Sequence, residues 1–418
     1  MLAVKSVPFG RLSVLGLLVL VSCANTFASG PVEKIIHKFT GSPDGKIPLG
    51  ALVADKAGNL YGTTPEGGVC TASTNGCGVV FELTPPTTEG AGWSETILYS
   101  FTGGSDGSAP DGTLIFDNQG NLYGVRTGGI FELSPPTTEG GDWTETNLPS
   151  PGYLQGSKLL FYGGNFYGVT QDGGRAKLGT AFVLKPPSTA GGAWAYRVIH
   201  SFGVVTGDGT HPIAGLVAHN GSLYGTTNQG GAGDGPAGIV FQLTLKNGVW
   251  AETVLYDFTT GGHPYGPLIF DPAGNLYGTI FGSQGSDPGA VYELSPPTSP
   301  GGPWQETTLY SFSYASSKGG SNPMAGVIRD AANNLYGTTY SGGIGRGLGV
   351  VFKLKPPETS GGAWAEVVLH SFGGIAHSDG AYPTGELILL NGAFYGTTSG
   401  GGLSLDPVPG GTVFSLVQ

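Results

Sequence analysis

Charged residues are scarce in this 418-residue chain, so the few that occur in loops are natural candidates for binding chemistry. Charged side chains make up 11% of the sequence, compared with roughly 25% in typical soluble domains. Four cations fall in glycine-rich loops that follow a recurring Tyr-Gly segment: Arg126, Arg175, Lys177 and Arg346. Guanidinium and ammonium groups near one mouth could bind a carboxylated sugar or another anion. The same loops also carry acidic residues, so solvated surface charge is the simpler interpretation.

Histidines form a second set of candidates. His211, His263 and His377 lie in the loops that lead into successive repeats, and Tyr265 follows His263 closely. Three imidazoles that converge could hold a metal ion. Their offsets within the repeats are unequal, however, so we predict a general binding role for these four residues and no metal or cofactor.

Two repeated features could suggest chemistry but are better explained as structure. An Asp-Gly pair with a proline close behind recurs at Asp44, Asp106, Asp208 and Asp379. A ring of such carboxylates could bind a cation such as Ca²⁺, but Asp-Gly before Pro is already a turn signal. His37, His200 and His370 occupy a strand position that other repeats fill with tyrosine, and this predicts a packing role.

Several classes of function are disfavoured by composition and motif. The net charge is −11, and no basic patch is present of the kind that nucleic-acid binding requires. The sequence has no nucleophile elbow, HExxH, phosphate loop or EF-hand spacing. No pair of carboxylates stands out for sugar hydrolysis.

A repeat in the sequence predicts the strands that must position these loops. A Leu-Tyr-Gly or Phe-Tyr-Gly tripeptide occurs seven times, with successive tyrosines 44 to 62 residues apart, at Tyr61, Tyr123, Tyr167, Tyr224, Tyr277, Tyr336 and Tyr395. Each repeat contains four short β-rich segments, which we call strands a, b, c and d in chain order, and the tripeptide lies in strand b. Turn signals separate the strands and no helical periodicity is found after the N-terminal segment. Repeated four-stranded antiparallel sheets predict an all-β, seven-bladed β-propeller.

The two ends of the repeat array are complementary. The body begins with a d-type strand at 33–39 and ends with a c-type strand at 411–416. Pairing them would complete the last blade and remove an exposed edge. All six tryptophans fall in c–d hairpins, as expected for seven blades cut open at one such junction. We therefore predict one closed, monomeric propeller over residues 33–418, with its irregular sector at blade 2, where Pro149 and Pro151 interrupt strand d.

The first 28 residues have the features of an export signal. Lys5 and Arg11 precede an apolar run at 12–21 that is too short for an ordinary membrane span. Two endings remain open: a lipobox at 20–23, which would place a lipid on Cys23, or small-residue cleavage after Ala28. An extracytoplasmic location follows from either ending. In that setting Cys70 and Cys77 are predicted to form a local disulfide.

The elements Gly-Asn-Leu-Tyr-Gly-Thr-Thr at 58–64 and Gly-Val-Val-Phe-Glu-Leu-Thr-Pro-Pro at 78–86 resemble the Gloeo/Verruco (GloVer) tandem repeat of exported bacterial proteins. The resemblance covers nearly all of the chain after the signal. It implies export with varied anchoring and no assigned activity. Because the last strand ends close to Gln418, any anchor of this chain is expected to be at Cys23.

Two functions are consistent with these patterns. The first is a non-catalytic module that binds a glycan, a cell-wall component or a surface protein through its loop-rich face. The alternative is a polysaccharide lyase or glycoside hydrolase with its site at the mouth of the central channel. A propeller fold supports both kinds of function and cannot choose between them.

Overall fold

The fold is described from a computed structural model, in which the described residues are 31–70, 73, 75–88, 90–138, 140–150, 154, 158–189, 191–232, 237–258, 262–282, 287–299, 301–314, 319–345, 347–359, 361–374, 378–402 and 410–417. Pro31–Gln418 form one compact unit. Every regular element in the described residues is a β-strand.

Seven antiparallel sheets, each ordered a-b-c-d, form the seven blades of a β-propeller. From blade 1 to blade 7, strand a is Val53–Ala54, Ile115–Phe116, Leu160–Tyr162, Val217–His219, Ile269–Phe270, Ile328–Arg329 and Ile388–Leu390. Strand b is Leu60–Thr64, Leu122–Arg126, Asn165–Thr170, Ser222–Thr226, Leu276–Phe281, Leu335–Thr339 and Ala393–Gly401. Strand c is Val79–Thr84, Gly129–Ser134, Thr180–Lys185, Ile239–Lys246, Ala290–Ser295, Val350–Lys355 and Thr412–Val417. Strand d is Ser94–Ser100, Thr144–Leu148, Ala195–Ser201, Val249–Asp257, Gln305–Ser311, Ala365–Ser371 and, for blade 7, Val32–Lys38.

The ring closes as the sequence predicts. Val32–Lys38, the first strand of the chain, pairs antiparallel with Thr412–Val417, with Val32 opposite Val417 and Lys38 opposite Thr412. Blade 2 is the irregular blade, because its strand d has five residues whereas the others have seven or nine.

Short strands at the loop-rich face were not anticipated from the sequence. Three loops between strand d and the next strand a pair with the b–c loop of the blade they enter: Gly45–Lys46 with Glu66–Gly67, Gly209–Thr210 with Gln229–Gly230, and Gly320–Ser321 with Ser341–Gly342. His263–Pro264 and Gly380–Pro383 instead pair with the extended strand b of blades 5 and 7. These pairings hold the d–a loops against the b–c loops, so this face has a defined shape.

The core lies between the blades. Seven apolar clusters are present, and each joins residues of two adjacent blades; one, for example, combines Phe39 and Val413 of blade 7 with Leu60 and Phe81 of blade 1. Seven interfaces for seven blades mean that, in the part of the chain that the structure describes, each blade packs against a neighbour on both faces. Burial of both faces explains why strand b is buried along its whole length in blade 1.

The glycine of each Tyr-Gly pair is required by close packing. Gly62 on strand b lies directly opposite Phe81 on strand c, and a Cβ at Gly62 would be 2.5 Å from the Phe81 ring. The same arrangement recurs in the other six blades, with Tyr292 replacing phenylalanine in blade 5. The preceding tyrosine is held by the a–b turn: the Tyr61 hydroxyl donates to Asp55 at 3.2 Å, and Asp55 also accepts from the backbone of Asn59. The most repeated motif therefore builds the blades.

Candidate functional site

A cavity of about 330 Å³ lies at the centre of the ring on the face of the d–a loops. Its walls include residues that enter each of the seven blades, among them Leu49, Asp111, Lys158, Ile213, Tyr265, Met324 and Glu386. A space of this size is at the lower end of the roughly 300–1,000 Å³ typical of small-molecule sites.

Close backbone packing between neighbouring d–a loops forms the rim. A Cβ at Gly50 would lie 2.8 Å from the carbonyl of Gly112 in the next loop, and one at Gly385 would lie 2.8 Å from the carbonyl oxygen of Gly50. Threonine side chains of blade 7 bond to the loop that enters blade 1. Thr384 Oγ1 donates to the Leu49 carbonyl at 3.0 Å, and Thr397 Oγ1, on strand b, donates to that of Gly50 at 3.0 Å. Glycine at these positions is thus explained by the narrowness of the ring.

An ion pair spans the cavity. Lys158 Nζ of blade 3 lies 3.1 Å from Glu386 Oε2 of blade 7, and the Lys158 side chain remains 42% exposed. Both residues directly precede the leucine that leads into strand a, a position that the other blades fill with Ala51, Thr113, Gly215, Pro267 and Gly326. Opposite charges replace small residues at two places only, and the fold brings those places together. The cavity is therefore where the repeat is broken most clearly.

Further polar groups surround this pair. Asp111, Gln171, Asn228 and Thr384 line the cavity together with Tyr265. Burial raises the pKa of Tyr265, so its hydroxyl is neutral and can donate a hydrogen bond. The arrangement offers one cation, carboxylates, amides and hydroxyls in a small space, which is the chemistry that recognises a polyhydroxylated or zwitterionic ligand.

Of the sequence candidates, Tyr265 lines the cavity and two histidines lie beside it. The His211 carbonyl accepts from the backbone N–H of Asn228 at 3.1 Å, and His263 Nδ1 is 2.9 Å from the Asn228 carbonyl. His211 and His263 thus hold the backbone of Asn228, which lines the cavity. His377 lies outside the described residues.

The predicted cations are placed differently from one another. Arg126 is the last residue of strand b in blade 2 and is only 2% exposed. Its guanidinium lies 3.6 Å from Glu145 Oε1, donates to Asn147 and approaches the Phe101 ring at 5.9 Å. Its charge is therefore neutralised inside the protein and is not presented to a ligand.

Arg175 and Lys177 are exposed in the b–c loop of blade 3, while Arg346 lies outside the described residues, as does Cys23. Neither Arg175 nor Lys177 is among the residues that line the cavity. Sequence reasoning missed Lys158, Glu386 and Asp111. For Lys158 and Glu386, the available signal was a charge at a repeat position that the other blades fill with small residues.

The Asp-Gly loops are turns, and they are also parts of polar clusters between blades. Asp44 Oδ2 accepts from the Thr40 N–H at 2.8 Å, and Asp106 Oδ2 accepts from the Thr102 N–H at 2.8 Å. Three of these loops place the aspartate beside a strand-d histidine and a glutamate of an adjacent strand d, in the groups His37–Asp44–Glu95, His200–Asp208–Glu252 and Glu33–His370–Asp379. Each histidine ring also packs against a phenylalanine, such as His200 on Phe202 with centroids 4.6 Å apart, so the predicted packing role is present as well.

The tryptophans pack between blades. Trp93 of blade 1 contacts Tyr395 of blade 7 with ring centroids 5.8 Å apart, and Trp250 of blade 4 contacts Tyr167 of blade 3 at 6.0 Å. These rings therefore serve the blade interfaces, which argues against one sugar-stacking tryptophan per blade.

Cys70 and Cys77 are joined by a disulfide, with Cα atoms 5.5 Å apart. The bond closes a short loop between strands b and c of blade 1, where Cys77 is 2% exposed.

No helix among the described residues is long and apolar enough to cross a membrane.

Solved structures with a similar fold were found at low sequence identity. The extracellular domain of a one-component system from B. thetaiotaomicron matches with a TM-score of 0.54 and 13% identity, over 93% of this chain and 41% of that one. A protein of unknown function from Dyadobacter fermentans matches with a TM-score of 0.46 and 13% identity, over 92% and 98% of the two chains. An α-L-arabinanase from Penicillium chrysogenum, complexed with arabinobiose, matches with a TM-score of 0.46 and 14% identity, over 93% and 98%. At this identity the likeness concerns the fold alone.

Curated proteins gave no match to this sequence. The profile of the Gloeobacter/Verrucomicrobia repeat, in contrast, matches at residues 24–231, 126–315 and 233–418, which together span the propeller. The chain belongs to the Gloeobacter/Verrucomicrobia repeat family.

Proposed function

We propose that this protein is a non-catalytic binding module that takes the end of a glycan, or a similar polar group, into the central cavity. The observation that carries the proposal is the Lys158–Glu386 pair in the cavity, 3.1 Å apart. The pair contains opposite charges from blades 3 and 7, at repeat positions where other blades have small residues.

The composition of the cavity supports a polar ligand. Carboxylate, amide and hydroxyl groups can each bond to sugar hydroxyls, and Lys158 can bond to a carboxylated or phosphorylated sugar. Because Lys158 is 42% exposed, its amine can leave Glu386 for a ligand at a small cost in desolvation.

We also propose that the protein acts outside the cytoplasm. The support is the N-terminal pattern at 1–28 and the disulfide between Cys70 and Cys77, because disulfides persist mainly in oxidising compartments. The intact mass of the protein purified from expressing cells distinguishes a lipid on Cys23 from an unmodified start at Ser29. A mass that retains residues 1–28 would contradict export.

A glycan array with the purified protein, followed by calorimetry on any hit, tests the binding function. Lys158→Ala and Glu386→Gln are each expected to weaken binding at least tenfold, since hydrogen bonds to charged groups contribute about 1.5–3 kcal/mol. Arg175→Ala is the matched control, because that cation is exposed and does not line the cavity. Unchanged binding by both cavity variants would refute the site.

Product analysis on the same hit tests whether the protein acts on its ligand as an enzyme. The ligand is incubated with the protein and examined by mass spectrometry for cleaved or unsaturated products. Such products, formed by the native protein and lost in Glu386→Gln, would replace the binding proposal with the lyase or hydrolase alternative.

A further inference from the structure

The strongest unexplained chemistry outside the cavity lies between the outer strands of blades 3 and 4. His200 is near the end of strand d of blade 3, Asp208 follows in the d–a loop, and Glu252 is on strand d of blade 4. We call these three residues the His200 cluster. Their donor atoms all lie within 4.8 Å of one another, so one imidazole and two carboxylates from adjacent blades share one small volume.

The separations in this cluster differ from those of hydrogen bonds. His200 Nε2 is 3.5 Å from Asp208 Oδ1 and 3.7 Å from Glu252 Oε2, whereas N–H···O bonds are typically about 2.7–3.2 Å. Ligand atoms around a tetrahedral zinc ion, with bonds of 2.0–2.1 Å, are about 3.4 Å apart. The imidazole is therefore spaced from each of the two carboxylates as two ligands of one ion would be.

A buried carboxylate oxygen points into the same volume without a partner. The Asp208 side chain is 0% exposed, and within the described residues its Oδ1 accepts no hydrogen bond. His200 Nε2 and Glu252 Oε1 are buried and also have no hydrogen-bond partner there. Leaving buried polar groups unpaired is costly, and a cation between them would remove that cost. The side chains of His200 and Glu252 remain 19% and 11% exposed, which leaves a route from solvent.

The two related clusters differ from the His200 cluster in the hydrogen bonds that their aspartates already accept. In the cluster of blades 6 and 7, His370 Nε2 lies 3.0 Å from Asp379 Oδ2, and the same oxygen accepts from the Gly373 N–H at 2.7 Å. His370 and Asp379 are thus bonded to each other, whereas the buried Glu33 Oε1 has no hydrogen-bond partner among the described residues. The cluster of blades 7 and 1 has similar separations, with His37 Nε2 3.4 Å from Glu95 Oε1 and 3.6 Å from Asp44 Oδ2. It differs in that Asp44 Oδ2 already accepts two hydrogen bonds from Thr40.

We propose that His200, Asp208 and Glu252 bind a divalent transition-metal ion, with Zn²⁺ the best fit, and that the ion joins blades 3 and 4. The imidazole selects against Ca²⁺ and Mg²⁺, which favour oxygen ligands, and one nitrogen with two oxygens suits Zn²⁺ or Co²⁺. The fourth position of the tetrahedron is open to water. The competing explanation is a proton shared between Asp208 and Glu252, with no metal.

Cobalt titration of the full-length protein, stripped with a chelator, tests the site, because tetrahedral Co²⁺ has a strong visible absorption. We expect the band to appear at one equivalent and to be displaced by Zn²⁺. Asp208→Asn and Glu252→Gln remove a ligand charge at nearly constant shape, and each should weaken Co²⁺ binding at least about 100-fold, the upper range for loss of a supporting residue at a metal site.

Two histidine variants serve as controls. His219→Gln changes the last residue of strand a in blade 4, and His370→Gln changes the cluster whose histidine is already hydrogen-bonded to its aspartate; both should leave the band in place. The proposal is overturned if the native protein shows neither the Co²⁺ absorption band nor a heat of Zn²⁺ binding by calorimetry. It is also overturned if Asp208→Asn binds Co²⁺ as tightly as the native protein, or if the His370 variant loses the band. Near-ultraviolet circular dichroism establishes whether each variant is folded. If a variant is not folded, the titration of the native protein still shows whether the protein binds Co²⁺.

Discussion

The buried pair formed by Arg126 and Glu145 allows a quantitative test of how charge is used in blade 2. The two side chains are 2% and 8% exposed and lie 3.6 Å apart. At an effective dielectric constant near 20, that separation corresponds to an attraction of about 4.6 kcal/mol. Replacing Arg126 with methionine leaves the Glu145 carboxylate buried without its cation, which typically costs about 3–5 kcal/mol.

The cost should depend on pH. Burial raises the pKa of Glu145, and the charge of Arg126 opposes that shift. Without the arginine the folded-state pKa rises further above the unfolded value, so the variant loses stability as pH rises from the unfolded to the folded pKa. The destabilisation by Arg126→Met should therefore be smaller at pH 5 than at pH 8.

Urea unfolding followed by tryptophan fluorescence measures the effect. The double variant Arg126→Met with Glu145→Gln should recover at least about 2 kcal/mol relative to Arg126→Met alone, because no buried charge remains. If Arg126→Met costs less than about 1 kcal/mol at both pH values, the pair does not act as described. Arg126 would then be available for the ligand-binding role that the sequence suggested.

Three further predictions concern the blades. Gly168→Ala should cost about 1–3 kcal/mol in unfolding free energy by overpacking, since its Cβ would lie 2.5 Å from an aromatic ring of strand c; Gly92→Ala, with nothing within 4 Å, is the neutral control in the same denaturation assay. Replacing Cys70 and Cys77 with serine should cost about 2 kcal/mol by the loop-entropy estimate, and a reducing agent should lower the melting temperature of the native protein but not of this variant. Burial, with the charge of Asp379, raises the pKa of Glu33 to about 7, so the contribution of Glu33 to stability falls as pH rises from about 4.5 to about 7. Glu33→Gln should therefore gain stability relative to the native protein as pH rises from 5 to 8. A constant difference in melting temperature between the two proteins across that range would contradict the assignment.

The sequence by itself determined the blades. Each turn, each Tyr-Gly pair and each strand is a local pattern. Seven copies with complementary ends predict a ring that is closed by pairing of the first and last strands. The short d–a and b–c pairings were missed because two-residue strands have no periodicity to detect. The inward charge of Arg126 was missed because a residue at the end of strand b can point into the blade or into the loop.

The candidate site, by contrast, was decided by tertiary structure. Lys158 and Glu386 are 228 residues apart, and nothing local to either indicates that they meet across the channel. Glu252 likewise completes a cluster begun by His200 only because adjacent outer strands are packed side by side. Local propensity and periodicity act over a few residues and so specify the repeat, whereas contacts across a ring depend on its closure and on which loops face the centre.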